Sequence, residues 1–345
     1  MAMTQTGNNS NPAPQAAFVI TNWNGVQFLE ACLKSVYAQH YRDFEVIVVD
    51  NASSDNSVAF VEQFYPQVRV IQNGANLGLC ISNNRGTLAT EAEFIAILNN
   101  DTELEPDWLG HLVGVMQADP RIGMCASRMM LTDQRDMVES AGIVVDKAGI
   151  AWGLDSGSSI DPRMTTPVPV FGACGGAALY RRSMLLEIGL FDDDFFVYLE
   201  DADVAWRGQW ADWRCMYVPT SVVYHAHSAT IKEGSPFKVR LLGRNKLWLI
   251  WKNYPFPYLL LYSPIILAYE LMAIGYALAT GRGGDALNGR WQALRQIRSL
   301  LAKRRKLVRK VSNRAMMAKL HPVENPLTLW RRYVNLSQGI TTQYK

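Results

Sequence analysis

Several familiar signatures are missing from this chain of 345 residues, and each absence removes a class of chemistry. Its five cysteines (Cys32, Cys80, Cys125, Cys174 and Cys215) stand singly, with no CxxC pair among them. That excludes a zinc finger and a disulfide framework, and predicts small core residues in a reducing compartment. No GxGxxG, no Walker lysine and no Ser-His-Asp ordering occurs, and "GRGG" at 281–284 lacks the preceding strand that would give it meaning. The first fifteen residues, "MAMTQTGNNSNPAPQ", contain no apolar run. They predict a loose tail over 1–15 rather than a secretory leader, and hence a cytoplasmic chain. Internal repeats are absent too.

What is present indicates a folded protein. Apolar residues make up 49% and charged residues 19%, a balance that supports a sizeable core and argues against disorder. Net charge is +3, but twelve Lys/Arg against the single Asp285 between Arg282 and Lys319 give that stretch +11, leaving −8 for the rest. Such asymmetry suggests a polyanionic partner for the C-terminal region, either an anionic membrane surface or a nucleic acid.

In the first hundred residues, "AAFVIT" (16–21), "FEVIVVD" (44–50), "VRVIQ" (68–72) and "EFIAILNN" (93–100) are short, β-branched and continuously apolar. Amphipathic stretches at 26–39, 57–65 and 77–90 lie between them. Buried strands alternating with helices predict an α/β fold with a parallel sheet covered on both faces. Ligands of such sheets bind beyond the carboxyl ends of the strands. Here those ends read "TNWNG" (21–25), "DNASSDNS" (50–57), "NGANLG" (73–78) and "NNDTE" (99–103), all rich in Asn, Asp and Gly. They are expected to converge on one crevice.

Four polar spots have two readings each. Asp50 either accepts hydrogen bonds from a nucleobase or ribose, or belongs to a helix-capping cluster with Asp55 and Ser57. Asp101, with Asn99 and Glu103, either offers a partial oxygen shell for a divalent cation or marks the turn before the helix after Pro106. The triplet Glu200, Asp201 and Asp203 in "YLEDADVAWRGQW" either dresses a helix start or includes a carboxylate placed to take a proton. In "YHAH" (224–227), His225 and His227 share one face of a strand, as metal ligands or as packed core residues. Together they fit metal-assisted displacement at a nucleotide-linked phosphate or sugar.

The chain also resembles glycosyltransferase family 2, inverting enzymes of the GT-A fold. The resemblance rests on "VITNWNG", "VIVVDNASSDNS", "NLGLCISNNRG", "AILNNDTELEPDWL", "CGGAALYRR", "GLFDDDFFVYLEDADVAWR" and "VVYHAHSAT", in order over about 16–250. The segment "GLFDDDFFVYLEDADVAWR" is similar to that of the bacterial rhamnosyltransferase-like branch. This resemblance implies a GT-A (Rossmann-like), mostly parallel sheet with helices on both faces, to which the apolar and basic residues after it add a C-terminal helical, membrane-associated extension. The implied divisions are a tail (1–15), a nucleotide-sugar half (16–126), an acceptor and catalytic half (127–245) and a basic, amphipathic helical region (246–345).

The resemblance further implies roles. Thr21, Trp23 and Asn24 would line the base, Asp50 would bond base or ribose, and Asn51, Asn76, Asn83 and Asn100 would complete the nucleotide-sugar site. Asp101, with Asn99 and His225, would hold Mg²⁺ or Mn²⁺ against the diphosphate. Gly175 and Gly176 would admit the donor sugar or acceptor. Asp201 would be the general base of a Glu-Asp pair with Glu200, taking the acceptor proton in a single inverting displacement. Two departures stand out: Asn99 replaces the first acid of the family's Asp-x-Asp motif, and Asn83 stands where many members carry Arg. There is no Gln/Arg-x-x-Arg-Trp after the base, which favours adding one sugar per binding event. The implied partners are a dTDP-, UDP- or GDP-linked donor and a glycan or lipid-linked acceptor. A sugar-phosphate nucleotidyltransferase would show a basic Gly-rich loop near the first strand, which "TNWNG" is not. A non-catalytic nucleotide-sugar-binding protein would not need the acids. A nucleic-acid binder would carry more aromatics in 282–319 than Trp291.

Residues 257–280 are apolar, interrupted by Pro264 and Glu270. Their length permits one span (258–280), an interfacial helix pair or a core helix. With the following "RQIRSLLAKRRKLVRK", they place the enzyme peripherally on the cytoplasmic face of an anionic membrane.

Overall fold

The computed structural model describes residues 13–159, 161, 163–226, 234–328 and 330–331. Most of the expected tail (1–12) and His227 lie outside the described residues. The first half alternates as β1 (Ala16–Asn22), α1 (Val26–Tyr37), β2 (Phe44–Asp50), α2 (Ser57–Phe64), β3 (Arg69–Gln72), α3 (Gly78–Leu88), β4 (Phe94–Asn99), β5 (Thr102–Leu104) and α4 (Trp108–Ala118). The second half adds β6 (Ile122–Leu131), β7 (Gln134–Ser140), β8 (Ile143–Val145), β9 (Ala151–Gly153), β10 (Val168–Val170) and β11 (Ala177–Arg181). After these come α5 (Arg182–Ile188), α6 (Glu200–Trp210) and β12 (Arg214–His225). The chain continues in helices: α7 (Pro236–Asn253), α8 (Phe256–Ala279), α9 (Gly283–Arg295), α10 (Ile297–Arg305) and α11 (Asn313–Ala318).

One sheet in the order β10-β12-β6-β11-β4-β1-β2-β3 runs through both halves. Its β4-β1-β2-β3 section is parallel. The sheet as a whole is mixed, because β11 enters antiparallel between β4 and β6. Strand alternation divides the core. Val19, Ile47, Val49 and Ile97 face one side, Phe18, Ile20, Val46, Val48 and Leu98 the other. Leu29, Leu33 and Val36 form the apolar stripe of α1 and cover the second side with Trp108 and Leu112 of α4. Trp206 and Trp210 of α6 and Trp248 of α7 cover the first. Each such side chain contributes about 1.5–3 kcal/mol on burial. All five cysteines are free thiols, four of them buried.

The parallel order turns at β1, which has β2 on one side and β4 on the other, so a crevice opens beyond their carboxyl ends. At the far end of the chain α8 leaves most of its length uncovered: Leu260, Leu261, Leu267, Leu271, Tyr276 and Leu278 are exposed. Core burial is therefore not what this helix does. Among the described residues it is the one helix long and apolar enough to cross a membrane. Its mid-segment acid is paired, with Lys246 at 2.6 Å and Arg290 at 2.9 Å. The basic stretch is less free than its charge suggests. Lys303 binds Asp192 and Asp194, Arg304 donates to the carbonyls of Trp251 and Tyr254, and Lys310 pairs with Glu187. Arg298, Arg305 and Lys306 stay exposed.

Candidate active site

Three strand ends are tied by one relay of polar side chains. Asn100 Nδ2 donates to Asn22 Oδ1 at 2.6 Å, and Asn22 Nδ2 donates to Asp50 Oδ1 at 3.0 Å. Asp50 also accepts from Ser53 N–H at 2.9 Å and is 2% exposed. Gly25 allows this close approach: a Cβ there would lie 2.0 Å from Asn100 Nδ2. Asp50 therefore organises the loop behind the crevice, and Asp55 takes the helix-start role. Its carboxylate accepts from the first N–H groups of both α1 (Val26) and α2 (Ser57), each at 3.0 Å.

In front of the relay lies a cavity of about 890 Å³. Thr21, Trp23, Asn51, Asn76, Asn99, Asn100, Asp101, Gly175, Gly176, Glu200, Asp201 and His225 all line it. Asn24, Asp50 and Asn83 are not part of that lining. Asn24 stitches its loop to Ser54 N–H at 2.7 Å, and Asn83 accepts from the Thr21 hydroxyl at 3.0 Å from behind.

The acids of α6 divide by helical position. Asp203 is fully buried against the neighbouring helices, bound by Arg207 at 2.7 Å, Lys252 at 2.9 Å and Asn253 at 2.8 Å. Burial alone would raise its carboxyl; the Arg207 and Lys252 charges outweigh that and lower it. Asp201 faces the cavity instead, accepting from Gly175 N–H at 2.9 Å and from Ala202 N–H at 2.7 Å. Its carboxyl is raised by burial, partly offset by those two bonds. Glu200 is raised to about 8, by burial and then by the Asp201 charge, and among the described residues its buried Oε2 has no hydrogen-bond partner. Burial thus raises both adjacent acids, and the charge of Asp201 adds to the rise at Glu200.

The third corner is a histidine set between two carboxylates. His225, at the end of β12, lies 3.2 Å from Asp101 Oδ1 through Nε2 and 2.8 Å from Glu139 through Nδ1, with the Asn99 amide 3.3 Å from Nε2. Burial would lower the imidazole; Glu139 and Asp101 override it and hold it well above its usual value. No group of three His, Cys, Asp or Glu placed to hold a metal occurs among the described residues. Even so, the donors fit a hard divalent cation. Such an ion needs only one or two carboxylates when substrate phosphates and water complete its shell. A carboxylate behind the imidazole, as Glu139 is here, is the usual orienting partner of a metal-binding histidine.

Glu139, on β7, had no signal in the sequence, where it is one acid of the polar stretch QRDMVES. Trp152, Tyr198, Phe237 and Lys238 also line the cavity and were equally silent, because β9, the loop before α6 and α7 reach the site only through the tertiary fold.

This geometry agrees with a family description: the model for "Glycosyl transferase family 2" matches residues 17–189. The chain belongs to glycosyl transferase family 2. It is a glycosyltransferase. Over 226 residues it is 29% identical to the N-acetylglucosaminyl-diphospho-decaprenol L-rhamnosyltransferase of Mycobacterium tuberculosis (strain CDC 1551 / Oshkosh), covering 58% of this chain and 73% of that one. Among solved structures, the GT-A fold of this family 2 member resembles that of GalNAc-T7 with UDP, GalNAc and Mn²⁺. That match has a TM-score of 0.55 at 17% identity and covers 70% of this chain and 51% of that one. The mannosyltransferase PcManGT from Pyrobaculum calidifontis, in complex with GDP-Man and Mn²⁺, is similar with a TM-score of 0.53 at 16% identity, covering 96% and 88%.

Proposed function

We propose that this enzyme transfers one sugar, rhamnose, from a nucleotide-sugar to a hydroxyl of a lipid-linked glycan, inverting the anomeric centre, with Asp201 as general base. The observation that carries the reading is the position of Asp201 on the wall of the cavity that Asp101 also lines, its two oxygens aimed by backbone N–H groups. Each oxygen keeps a lone pair for the acceptor proton. Its raised pKa brings it nearer to working pH, where a base is most effective. Glu200, raised by burial and by the Asp201 charge, stands beside it as the second acid of the pair. Thr21, Trp23, Asn51 and Asn76 hold the nucleotide; Asn24, Asp50 and Asn83 shape the loops behind it. Asp101 and His225, with Asn99, would hold Mg²⁺ or Mn²⁺. Such an ion, when bound, offsets the charge developing on the departing nucleoside diphosphate. Rhamnose and the lipid-linked acceptor are favoured by the name of the mycobacterial relative. The exposed apolar side chains of α8 and the exposed cations Arg298, Arg305 and Lys306 support a peripheral seat on an anionic, cytoplasmic leaflet.

The test is binding and transfer with dTDP-, UDP- and GDP-sugars, including dTDP-L-rhamnose, with and without Mn²⁺. The reading expects metal-dependent binding of one nucleotide class that Asp101→Ala weakens. Equal titrations with and without Mn²⁺, or an Asp101→Ala variant that binds like the unvaried enzyme, would refute the metal assignment.

A further inference from the structure

The segment entering α6 has a backbone that side chains seldom tolerate. Phe196 (φ 66°, ψ −65°) is the centre of a γ-turn of the rare positive-φ kind, closed by Val197 N–H donating to Phe195 O at 2.8 Å. Tyr198 (φ 72°) and Leu199 (φ 62°) follow in the left-handed region. Three bulky residues at positive φ within four positions persist only where their surroundings over-determine them. The hydrogen-bond accounting identifies those surroundings. Phe196 O accepts from Leu79 N–H at 2.7 Å. The carbonyls of Phe195, Val197 and Tyr198 all accept from one side chain, Asn245 Nδ2, at 3.1, 2.9 and 2.7 Å.

Asn245 lies on α7, is fully buried, and accepts from Arg244 Nε at 2.8 Å through its Oδ1, which settles which end of the amide meets the loop. Arg244 Nη2 adds bonds to Asp194 O at 3.0 Å and Phe195 O at 2.9 Å. A carboxamide carries two protons on one uncharged nitrogen, so it can serve three converging carbonyls by sharing them. Two turns further along α7, Lys252 and Asn253 grip Asp203, within the first turn of α6. One helix, beyond the stretch matched by the family description, thus clamps both ends of the segment that carries Glu200 and Asp201.

We propose that Asn245 is a positioning residue for transfer: it holds the Phe195–Tyr198 turn so that Asp201 faces the acceptor hydroxyl. The inference rests on Asp201 as the base. In the proposed function Thr21, Trp23 and Asn51, at the ends of β1 and β2, hold the nucleotide away from the clamp, and only Asn76 lies near the turn, so the clamp acts chiefly on turnover.

The experiment compares the unvaried enzyme with Asn245→Ala and with Asn245→Asp, which keeps the shape but sets carboxylate oxygens against the three carbonyls. Steady-state transfer from dTDP-L-rhamnose, or from whichever sugar nucleotide the panel selects, is read beside Mn²⁺-dependent dTDP binding and amide hydrogen exchange. A displacement of the base by about 1 Å is expected to lower kcat about 10²-fold while donor KM and dTDP affinity stay within about threefold. Exchange should quicken at 195–202 and nowhere in the sheet. If kcat is unchanged in both variants, or if kcat, affinity and melting temperature fall together, Asn245 is merely a core residue and the proposal is overturned. Should Asn245→Ala not fold, Asn245→Ser, which keeps a single proton for the nearest carbonyl, takes its place and is held to the same outcomes. If the unvaried enzyme transfers no sugar from any donor, the functional reading fails by itself. Exchange then decides for the clamp: quickening confined to 195–202 upholds it, and unchanged exchange removes it.

Discussion

The Gly175 N–H donates to Asp201 Oδ2 at 2.9 Å, joining the Gly-rich stretch before β11 to the first turn of α6. A Cβ at Gly175 would stand 3.3 Å from the Asp201 Cβ, closer than most side-chain contacts. Glycine therefore keeps the approach to this carboxylate open.

Replacing Asp201 with Asn removes the proton acceptor and turns an NH₂ toward backbone donors. Transfer is expected to fall by about 10²–10⁴-fold, the usual contribution of a placed base. Nucleotide binding should stay near that of the unvaried enzyme. Turnover and calorimetric binding on the same preparation check this, and sustained turnover would remove Asp201 as the base.

Glu200 offers a prediction about stability. An acid whose carboxyl is raised in the fold binds its proton more tightly folded than unfolded. Stability is therefore lost as pH climbs from the ordinary 4.5 through about 8, and the loss is constant above that. Glu200→Gln removes the charge that burial opposes. Its melting temperature relative to the unvaried protein should rise from pH 5 to pH 9. A difference independent of pH would contradict the burial argument.

Lys252 pairs with both Asp192 and Asp203, at 2.6 and 2.9 Å, and all three side chains are buried. Lys252→Met strips a partner from two buried carboxylates. A loss of about 3–5 kcal/mol is expected, as for other buried pairs broken on one side. Denaturant midpoints read at constant m-value measure it.

Membrane attachment can be separated from folding by choosing the right cations. Neutralising Arg298, Arg305 and Lys306 should weaken binding to anionic vesicles by about 1 kcal/mol per charge while leaving the melting temperature unchanged. Neutralising Lys303 and Arg304, which hold Asp192, Asp194 and the end of α7, should destabilise the fold instead. Cosedimentation with anionic and neutral vesicles, beside thermal melts, separates the two sets.

Much of this was readable locally. The runs ending at Asp50 and Asn99 alternate their side chains between two buried faces, so β2, β4 and the helices between them follow from burial on both sides. The polar ends of those strands were equally plain, because a parallel sheet leaves its ligand groups there. Glu139 and Asn245 were not legible. Each is one polar residue among other polar residues, Arg135 and Asp136 near Glu139 and Arg244 and Lys246 beside Asn245, and its meaning depends on a partner 86 residues away for Glu139 and 47 to 50 away for Asn245.

By itself the chain determined that strands and helices alternate, where their polar ends fall, and that acids collect near Asp101 and Asp201, since burial and hydrogen-bond needs act over a few residues. Only the tertiary structure decided which acids face the cavity and which are paired within the fold. Asp201 and Asp203 point about 200° apart on a helix of 3.6 residues per turn, so one opens on the cavity while its neighbour pairs with Lys252 and Arg207. The basic stretch was divided in the same way, some cations closing internal bonds and others facing water, because the partner of a long side chain is set by packing between distant segments.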